Sequence, residues 1–335
     1  MSVSSGQPLM PWLDATRDSL WQAHRLDRLP HALLFAGPRG IGKRLLVRCL
    51  AQSLLCTNPT EQGNACDRCR ECHLFSTGTH PDFHAIGPDD ASKSKEIKVE
   101  VIRELVRSES LTSNRGSYKI VALAPAEAMN TAAANALLKT LEEPSSGTLL
   151  CLVAETPGDL PATIRSRCQI QRIPVPSRTE ALGWLSPRLA NSLNPRLLLD
   201  LSRGAPLRAL EIADQSLLER RLTRFEGFRS IAVGDVDPVA EAATWNADDP
   251  GILLDWFAGW LSDLLRLAVG MDRGLINSDQ QRVLSALLTR FDLVACHRLL
   301  QRVFDIRSAA TGNVNMQLQI ESLLIEWARV ARRGR

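Results

Sequence analysis

Short apolar runs separated by stretches of helical periodicity make up the first half of the chain. The runs cover residues 32–35, 83–86, 118–123 and 148–154, and each is long enough for one buried strand. Strands that alternate with amphipathic helices are typical of a parallel sheet with helices on its faces. The pattern therefore predicts an α/β architecture for this part of the chain.

Two helices can be placed with their ends. The segment from Arg44 to Leu55 has leucines four residues apart, which predicts an amphipathic helix. A second predicted helix is capped by Asn130 and ends before Pro144.

Pro174-Val-Pro176 predicts a linker, and the sequence after it shows no strand pattern. Short helices are predicted over 178–215, and the chain beyond is rich in Leu, Trp and Arg and is predicted to be helical throughout. The longest apolar stretch, Ile252 to Val269, contains three charged residues, so it predicts a buried helix rather than a membrane span. The linker and the shift from strand to helix patterns predict three domains: a P-loop-like domain at 1–174, a small helical lid at 175–216 and an α-helical domain at 217–335.

Composition narrows the class of protein only modestly. A chain of 335 residues predicts two or three domains, and 44% hydrophobic with 23% charged residues is typical of a globular protein. The net charge of +3 is too weak to indicate nucleic-acid binding by itself. No basic-then-apolar signal segment opens the sequence, so the cytoplasm is the expected location.

The clearest motif is a phosphate-binding loop that lacks one of its parts. The pattern G-x-x-x-x-G-K-[ST] runs through Gly37, Gly40, Gly42 and Lys43, but Arg44 stands where Ser or Thr is required. In such a loop the backbone N–H groups and the lysine bind phosphate, and the hydroxyl binds Mg²⁺. Arginine has no oxygen to offer a metal, so the loop is predicted to lack its magnesium ligand.

The second half of an ATPase site should be an acidic residue at the end of a later strand. The candidate strand, 118–123, runs into Ala124-Pro125, and the first acid is Glu127, which we expect on the following helix. Two magnesium contacts are therefore missing, which predicts that this chain does not hydrolyse ATP. The sequence leaves open whether nucleotide binds without turnover.

Four of the 8 cysteines are closely spaced, at Cys56, Cys66, Cys69 and Cys72. This spacing predicts a tetrahedral zinc site, and a site closed by four thiolates holds structure rather than performing catalysis. Tightly spaced cysteines also ligate iron–sulfur clusters, so that alternative stays open. A role of this insertion as a binding knuckle also stays open.

Three stretches together carry a family resemblance: the P-loop with its cysteine insertion, the run from Thr131 to Pro144, and Ile164-Arg-Ser-Arg167-Cys168. The chain closely resembles bacterial clamp-loader subunits, the AAA+ proteins that load the sliding clamp for the replicative polymerase. It is most similar to the delta-prime class of the DNA polymerase III holoenzyme, whose own nucleotide site is degraded. The resemblance is strong over the AAA+ module, weaker over the lid and architectural in the C-terminal helices.

The resemblance assigns roles to individual residues. Arg167 matches the arginine finger that reaches the ATP held by a neighbouring subunit, where a guanidinium stabilises charge on the transferred phosphoryl group. Thr156 falls at the polar sensor position after the fourth strand, and Lys43 matches the P-loop lysine. At the second sensor, Leu207 is in register and Arg208 comes one place late.

The resemblance also implies partners. These are the gamma/tau ATPase subunits and delta in a hetero-pentamer joined by the C-terminal collar, the sliding clamp, and primed DNA through the complex, with no membrane. The chain would then be a subunit of a DNA-directed DNA polymerase without activity of its own. Two other functions are considered: an active gamma/tau-type ATPase, which Arg44 and Ala124 disfavour, and a zinc-ribbon nucleic-acid-binding protein, which the weak charge and lack of interleaved aromatic residues disfavour.

Overall fold

The computed structural model describes residues 9–88, 96–109, 118–246, 248–309 and 315–332. The chain divides into two compact units, residues 1–180 and 181–335. In the part of the chain that is described, no helix is long and apolar enough to cross a membrane.

A parallel five-stranded sheet forms the centre of the first unit. Its order is β2-β3-β4-β1-β5. The strands are β1 Ala32–Ala36, β2 Phe83–Ile86, β3 Lys119–Leu123, β4 Thr148–Ala154 and β5 Gln169–Arg172. The three inner strands are buried along their whole length, as expected where helices cover both faces. The predicted α/β architecture is therefore confirmed.

Helices surround this sheet. They are α1 Asp14–Arg25, α2 Lys43–Leu55, α3 Arg70–Ser76, α4 Val99–Glu109, α5 Thr131–Glu142 and α6 Ala162–Arg165. The predicted N-cap of α5 is confirmed, because the side chain of Asn130 accepts the backbone N–H of Ala133 at 2.9 Å. The helix ends at Glu142, two residues before Pro144, as the sequence predicts.

The structure also differs from the sequence prediction in this unit. Strand β5 was not predicted, because Gln169–Arg172 is polar and lies at a sheet edge, where no apolar run is needed. Glu127 lies on a helix after β3, as expected, but this is the short 3₁₀ helix Ala126–Ala128 and not α5. The cis peptide bond between Ala124 and Pro125 precedes this 3₁₀ helix.

The second unit contains helices throughout its described part, as predicted. The first three are α7 Arg178–Leu185, which begins in the first unit, α8 Pro195–Leu201 and α9 Pro206–Ile212. They share a small core of Ala181, Leu185, Leu198, Leu199 and Ala209. The remaining helices are α10 Gln215–Val233, α11 Pro238–Trp245, α12 Pro250–Ala268, α13 Gln281–Leu287, α14 Leu293–Ala309 and α15 Met316–Arg332.

A separate aromatic core holds α10–α15 together. The rings of Phe228 and Trp327 stack with centroids 4.3 Å apart, and Trp260 packs against Phe228. The indole N–H of Trp327 donates to the backbone carbonyl of Phe228 at 2.9 Å, so this buried polar group has its partner. The division of the whole chain into three domains stays a prediction.

Candidate functional site

The P-loop connects β1 to the first turn of α2, and the N-terminal segment holds it from outside. Gly42 has a φ of 96°, and a Cβ there would lie 2.8 Å from Leu13 Cδ1 and 2.9 Å from Met10 Sδ. Only glycine fits this left-handed and crowded position. The indole N–H of Trp12 donates to the carbonyl of Ile41 at 2.9 Å, which fixes the loop further.

Lys43, the P-loop lysine, is engaged by the loop itself. Its Nζ donates to the carbonyl oxygens of Gly37 at 2.5 Å and Pro38 at 2.7 Å. Burial lowers the pKa of Lys43 to about 8, and the negative charges of Glu155 and Glu127 oppose this shift. Burial therefore disfavours the protonated form of Lys43, and two carbonyl oxygens of the loop accept hydrogen bonds from its ammonium.

Neither predicted magnesium position offers an oxygen in the expected place. Arg44 is the second residue of α2 and its side chain is exposed. Beyond β3, the carboxylate of Glu127 accepts the backbone N–H groups of Glu155 at 2.7 Å and Thr156 at 3.2 Å through Oε1. The first acid after this strand is therefore bound to the backbone that follows β4, and it also fixes the main chain at Thr156.

Arg167 lies just beyond α6 and is tied to the end of α5. Its NH2 group is 2.5 Å from Oε1 of Glu142, and its NH1 group donates to the carbonyl of Thr163 at 3.0 Å and to Ser166 Oγ at 3.4 Å. The side chain nevertheless stays 36% exposed. This geometry presents a guanidinium that is fixed on one side and open to solvent on the other.

The structure brings the four predicted metal ligands together. The sulfur atoms of Cys56, Cys66, Cys69 and Cys72 all lie within 4.8 Å of one another, with Cys56–Cys69 at 3.9 Å and Cys66–Cys72 at 4.0 Å. Four sulfurs about 2.3 Å from one Zn²⁺ in a tetrahedron lie about 3.8 Å apart, so the cluster fits such an ion. The four side chains could hold a metal, and its identity stays a prediction.

Backbone hydrogen bonds to sulfur shape this cluster. The N–H of Cys66 donates to Cys56 Sγ and the N–H of Cys72 donates to Cys69 Sγ, both at 3.3 Å. Burial raises the pKa of Cys69, but hydrogen bonds from Thr57 and from the Cys72 backbone outweigh it and lower the pKa to about 6. A thiolate, the form that binds metals, is thus favoured at Cys69.

The cysteine module is docked on the rest of the first unit by residues that sequence reasoning missed. Gly63, with a φ of 79°, packs directly on the ring of Trp21, where a Cβ would lie 2.4 Å from the indole. The Trp21 N–H donates to the Glu61 carbonyl at 3.0 Å. The ring of His80 lies 3.2 Å from Glu71, which connects α3 to the segment before β2. These contacts join segments 9 to 42 residues apart, and no local sequence signal indicates them.

Arg208, one place beyond the position expected for the second sensor, has partners in its own unit. Arg208, on α9, donates to Glu211 at 2.8 Å and lies 3.8 Å from Asp255 of α12. Asp255 in turn pairs with Arg307 of α14 at 2.5 Å. The guanidinium of Arg208 therefore takes part in an ion-pair cluster between α9 and the C-terminal helices. Leu207 is half-buried on the same helix.

Comparison with known proteins places the chain in a family. Two family models match it: DNA polymerase III, delta subunit, over residues 13–177, and DNA polymerase III, delta subunit, C terminal, over residues 215–329. DNA polymerase III subunit delta' of Pseudomonas aeruginosa is 38% identical over 328 residues, which cover 96% of this chain and 97% of that protein. The Escherichia coli subunit delta' is 32% identical over 320 residues, 94% of each chain.

One of the similar solved structures is that of a DNA polymerase III gamma subunit-related protein from Thermotoga maritima. It is 18% identical, covers 94% of this chain and 100% of its own, and has a TM-score of 0.42. On the two family models and the near full-length identity to these relatives, the chain belongs to the delta' subunit family of DNA polymerase III.

Proposed function

We propose that this chain is a clamp-loader subunit that does not hydrolyse ATP and that acts on the ATP site of a neighbouring subunit. One observation carries the proposal. The Lys43 ammonium and one carboxylate oxygen of Glu127 are engaged within the fold, whereas Arg167 is held in place and open to solvent. Such a subunit supplies one catalytic group to a partner rather than completing a site of its own.

The argument against hydrolysis concerns magnesium. Phosphoryl transfer depends on a metal ion that bridges the phosphates and neutralises developing charge. Arg44 places a positive charge where the P-loop hydroxyl would bind that ion, and Glu127 uses Oε1 to hold the backbone of Glu155 and Thr156. Lys43, Gly37, Gly40 and Gly42 keep the shape of a phosphate site, so nucleotide binding without turnover is compatible with this geometry.

Arg167 is the group we assign to the partner's chemistry. An arginine finger contributes about 10³–10⁵ in rate at the site that it serves. Its partners in this proposal are the gamma/tau ATPase subunits and delta, joined in a hetero-pentamer that places the sliding clamp on primed DNA in the cytoplasm. Belonging to the delta' family supports this assembly.

The cysteine cluster is proposed to bind one structural Zn²⁺. All four coordination positions would be filled by Cys56, Cys66, Cys69 and Cys72, which leaves no open position for catalysis. The ion would hold the cysteine module in a fixed shape against Trp21 and His80. Its contribution would be to folding and not to phosphoryl transfer.

The test uses ATP turnover with and without partner subunits. The isolated chain should show no magnesium-dependent hydrolysis above background, and Lys43→Ala should change nothing. In the reconstituted complex, Arg167→Ala should lower DNA-stimulated turnover and clamp loading while assembly persists, and Arg167→Lys should rescue poorly because an ammonium lacks the planar fork. Hydrolysis by the isolated chain that Lys43→Ala abolishes would reject the proposal, and unchanged turnover of the Arg167→Ala complex would reject the role in trans.

A further inference from the structure

Two glutamates stand side by side at the carboxyl end of α5, and only one of them touches Arg167. Glu142 is the last residue of the helix, and its Oε1 lies 2.5 Å from the Arg167 guanidinium. Glu143 follows as the C-cap and makes no ion pair with any residue that the structure describes. The two positions thus share residue type and exposure but differ in this one contact.

A carboxylate at the end of α5 goes against the electrostatics of the helix. The carboxyl end of a helix carries partial negative charge, so acidic residues are disfavoured there and basic residues are favoured. Glu142 breaks this rule, and its carboxylate pairs with Arg167. Local rules of this kind are broken most often at functional positions, where a compensating gain exists.

The contacts of Arg167 show what Glu142 does to the guanidinium. Thr163 O and Ser166 Oγ hold NH1 from the α6 side, and Glu142 holds NH2 from the α5 side. A guanidinium has five N–H donors, so these three acceptors leave at least two donors free. Without Glu142, the remaining hydrogen bonds of the Arg167 side chain are those to Thr163 and Ser166 in and next to α6, and the side chain loses its connection to α5.

We propose that Glu142 is a positioning residue that holds the Arg167 guanidinium in the orientation needed at a neighbouring subunit's ATP. This inference rests on the proposed role of Arg167 in trans. Glu142 itself touches no nucleotide. It acts by fixing the direction of the free N–H donors before the partner arrives, which reduces the ordering needed in the transition state.

Glu142→Lys with Glu143→Lys as its matched control tests the proposal. Both substitutions change the charge by the same amount at adjacent exposed positions, and lysine suits a helix carboxyl end, so the fold should tolerate both. At position 142 the ammonium repels Arg167, whereas at position 143 it has no such neighbour. Glu142→Gln, which keeps the shape and removes the charge, serves as the milder variant.

The measurement is DNA-stimulated ATP turnover of the reconstituted complex, as kcat and KM for ATP. A displacement of about 1 Å can cost on the order of 100-fold at one site. Because the other ATP sites of the complex are unaffected, the kcat of the whole complex should fall by no more than about twofold for Glu142→Lys. KM should stay unchanged, because the finger acts in the transition state. Glu142→Gln should fall between Glu142→Lys and the wild type, and Glu143→Lys should match the wild type.

A double variant separates this inference from the function on which it rests. In an Arg167→Ala background, Glu142→Lys should cause no further loss, because Glu142 acts only through Arg167. If Arg167→Ala lowers kcat but Glu142→Lys and Glu142→Gln do not, the positioning role is wrong and the trans role stands. If Arg167→Ala has no effect, the proposed function itself fails. An additional loss in the double variant would show that Glu142 acts by another route and would overturn the inference.

Assembly is followed in parallel by size-exclusion chromatography of each complex. If Glu142→Lys prevents assembly, Glu142→Gln decides alone. A normal kcat for an assembled Glu142→Gln complex then counts against the inference, and a reduced kcat with unchanged KM supports it.

Discussion

Oε1 of Glu127 lies 2.7 Å from the backbone nitrogen of Glu155. The carboxylate of a residue that follows β3 therefore fixes the backbone directly after β4. The same oxygen accepts the N–H of Thr156 at 3.2 Å. Strands β3 and β4 are neighbours in the sheet, and this contact connects them beyond their carboxyl ends. The first acidic residue after β3, which comes later than the position from which an ATPase would bind metal, here holds backbone.

Replacing Glu127 by alanine should therefore loosen the segment after β4. Two charge-assisted hydrogen bonds are lost, but the freed N–H groups are near the surface and can bind water, so we expect a loss of about 1 kcal/mol in the free energy of unfolding. Amide hydrogen exchange at Glu155 and Thr156 should accelerate in Glu127→Ala and much less in Glu127→Gln, which keeps an acceptor oxygen. Equal exchange rates in all three proteins would show that this contact does not hold the segment.

The lowered pKa of Lys43 predicts that the free energy of unfolding depends on pH. Burial lowers its pKa in the folded chain to about 8, below the ordinary value of 10.5. Between these values the unfolded chain binds more protons than the folded one, so stability rises with pH. The cost of burying the charged form is fully present below about pH 8 and is relieved as the pH rises toward 10.5.

The comparison that isolates this effect is wild type against Lys43→Met. Other titrating groups contribute equally to both proteins and cancel in the difference. The free energy of unfolding, measured in denaturant between pH 7 and 10.5, should increase in the wild type relative to Lys43→Met. A difference that stays constant over this range would mean that Lys43 is not perturbed by burial.

The strands and helices that could be predicted from the sequence are those with strong apolar periodicity or with clear capping and terminating residues. The four predicted strands and the helix capped by Asn130 are confirmed. They could be predicted because apolar runs and helix-end residues are local features of the sequence. The edge strand Gln169–Arg172 is polar and was missed. The spacing of the four cysteines predicted that their sulfur atoms would come together, because two residues separate Cys66 from Cys69 and two separate Cys69 from Cys72.

Contacts between distant segments could not be predicted in this way. Arg167 and Glu142 are separated by 25 positions in the sequence and meet only because α5 and α6 pack together. Glu127 lies on a short 3₁₀ helix, and nothing in the sequence around Ala124-Pro125 indicates that its carboxylate accepts the Glu155 backbone N–H. The side-chain partners at this site depend on tertiary packing and not on local pattern.

The second unit contains an ion pair whose guanidinium is buried and whose carboxylate is partly exposed. Arg221 is 2% exposed, and it donates to both carboxylate oxygens of Asp279, at 2.8 and 2.9 Å, and to Asn277 at 2.7 Å. Removing one partner of a buried pair leaves the other uncompensated, so Arg221→Met should cost about 3 kcal/mol in the free energy of unfolding.

Arg229 on the same helix provides the control for this prediction. It pairs with Glu226 at the surface, and exposed pairs contribute at most about 1 kcal/mol. Denaturant midpoints followed by circular dichroism should therefore fall clearly for Arg221→Met and barely for Arg229→Met. Similar midpoints for the two variants would show that burial does not set the strength of the Arg221 pair.

Trp21 makes the metal site observable. Its indole packs against Gly63 and donates to the Glu61 carbonyl, both in the loop that separates Cys56 from Cys66. If one Zn²⁺ holds the four thiolates, its removal releases this loop, because the coordinate bonds that fix the cysteines are lost. The environment of Trp21 should then become wetter while the sheet keeps its strand pairing.

The experiment removes the ion with a strong chelator and records tryptophan fluorescence. The chain has 7 tryptophans, so the signal of interest is the difference between wild type and Trp21→Phe. Elemental analysis of freshly reduced protein should give one zinc per chain, chelation should shift the wild-type emission to longer wavelength, and Trp21→Phe should remove most of that shift. Cys69→Ser should show the released state without chelator and a lower melting temperature. Iron in place of zinc, or an equal shift in Trp21→Phe, would contradict a structural zinc ion that docks this loop on α1.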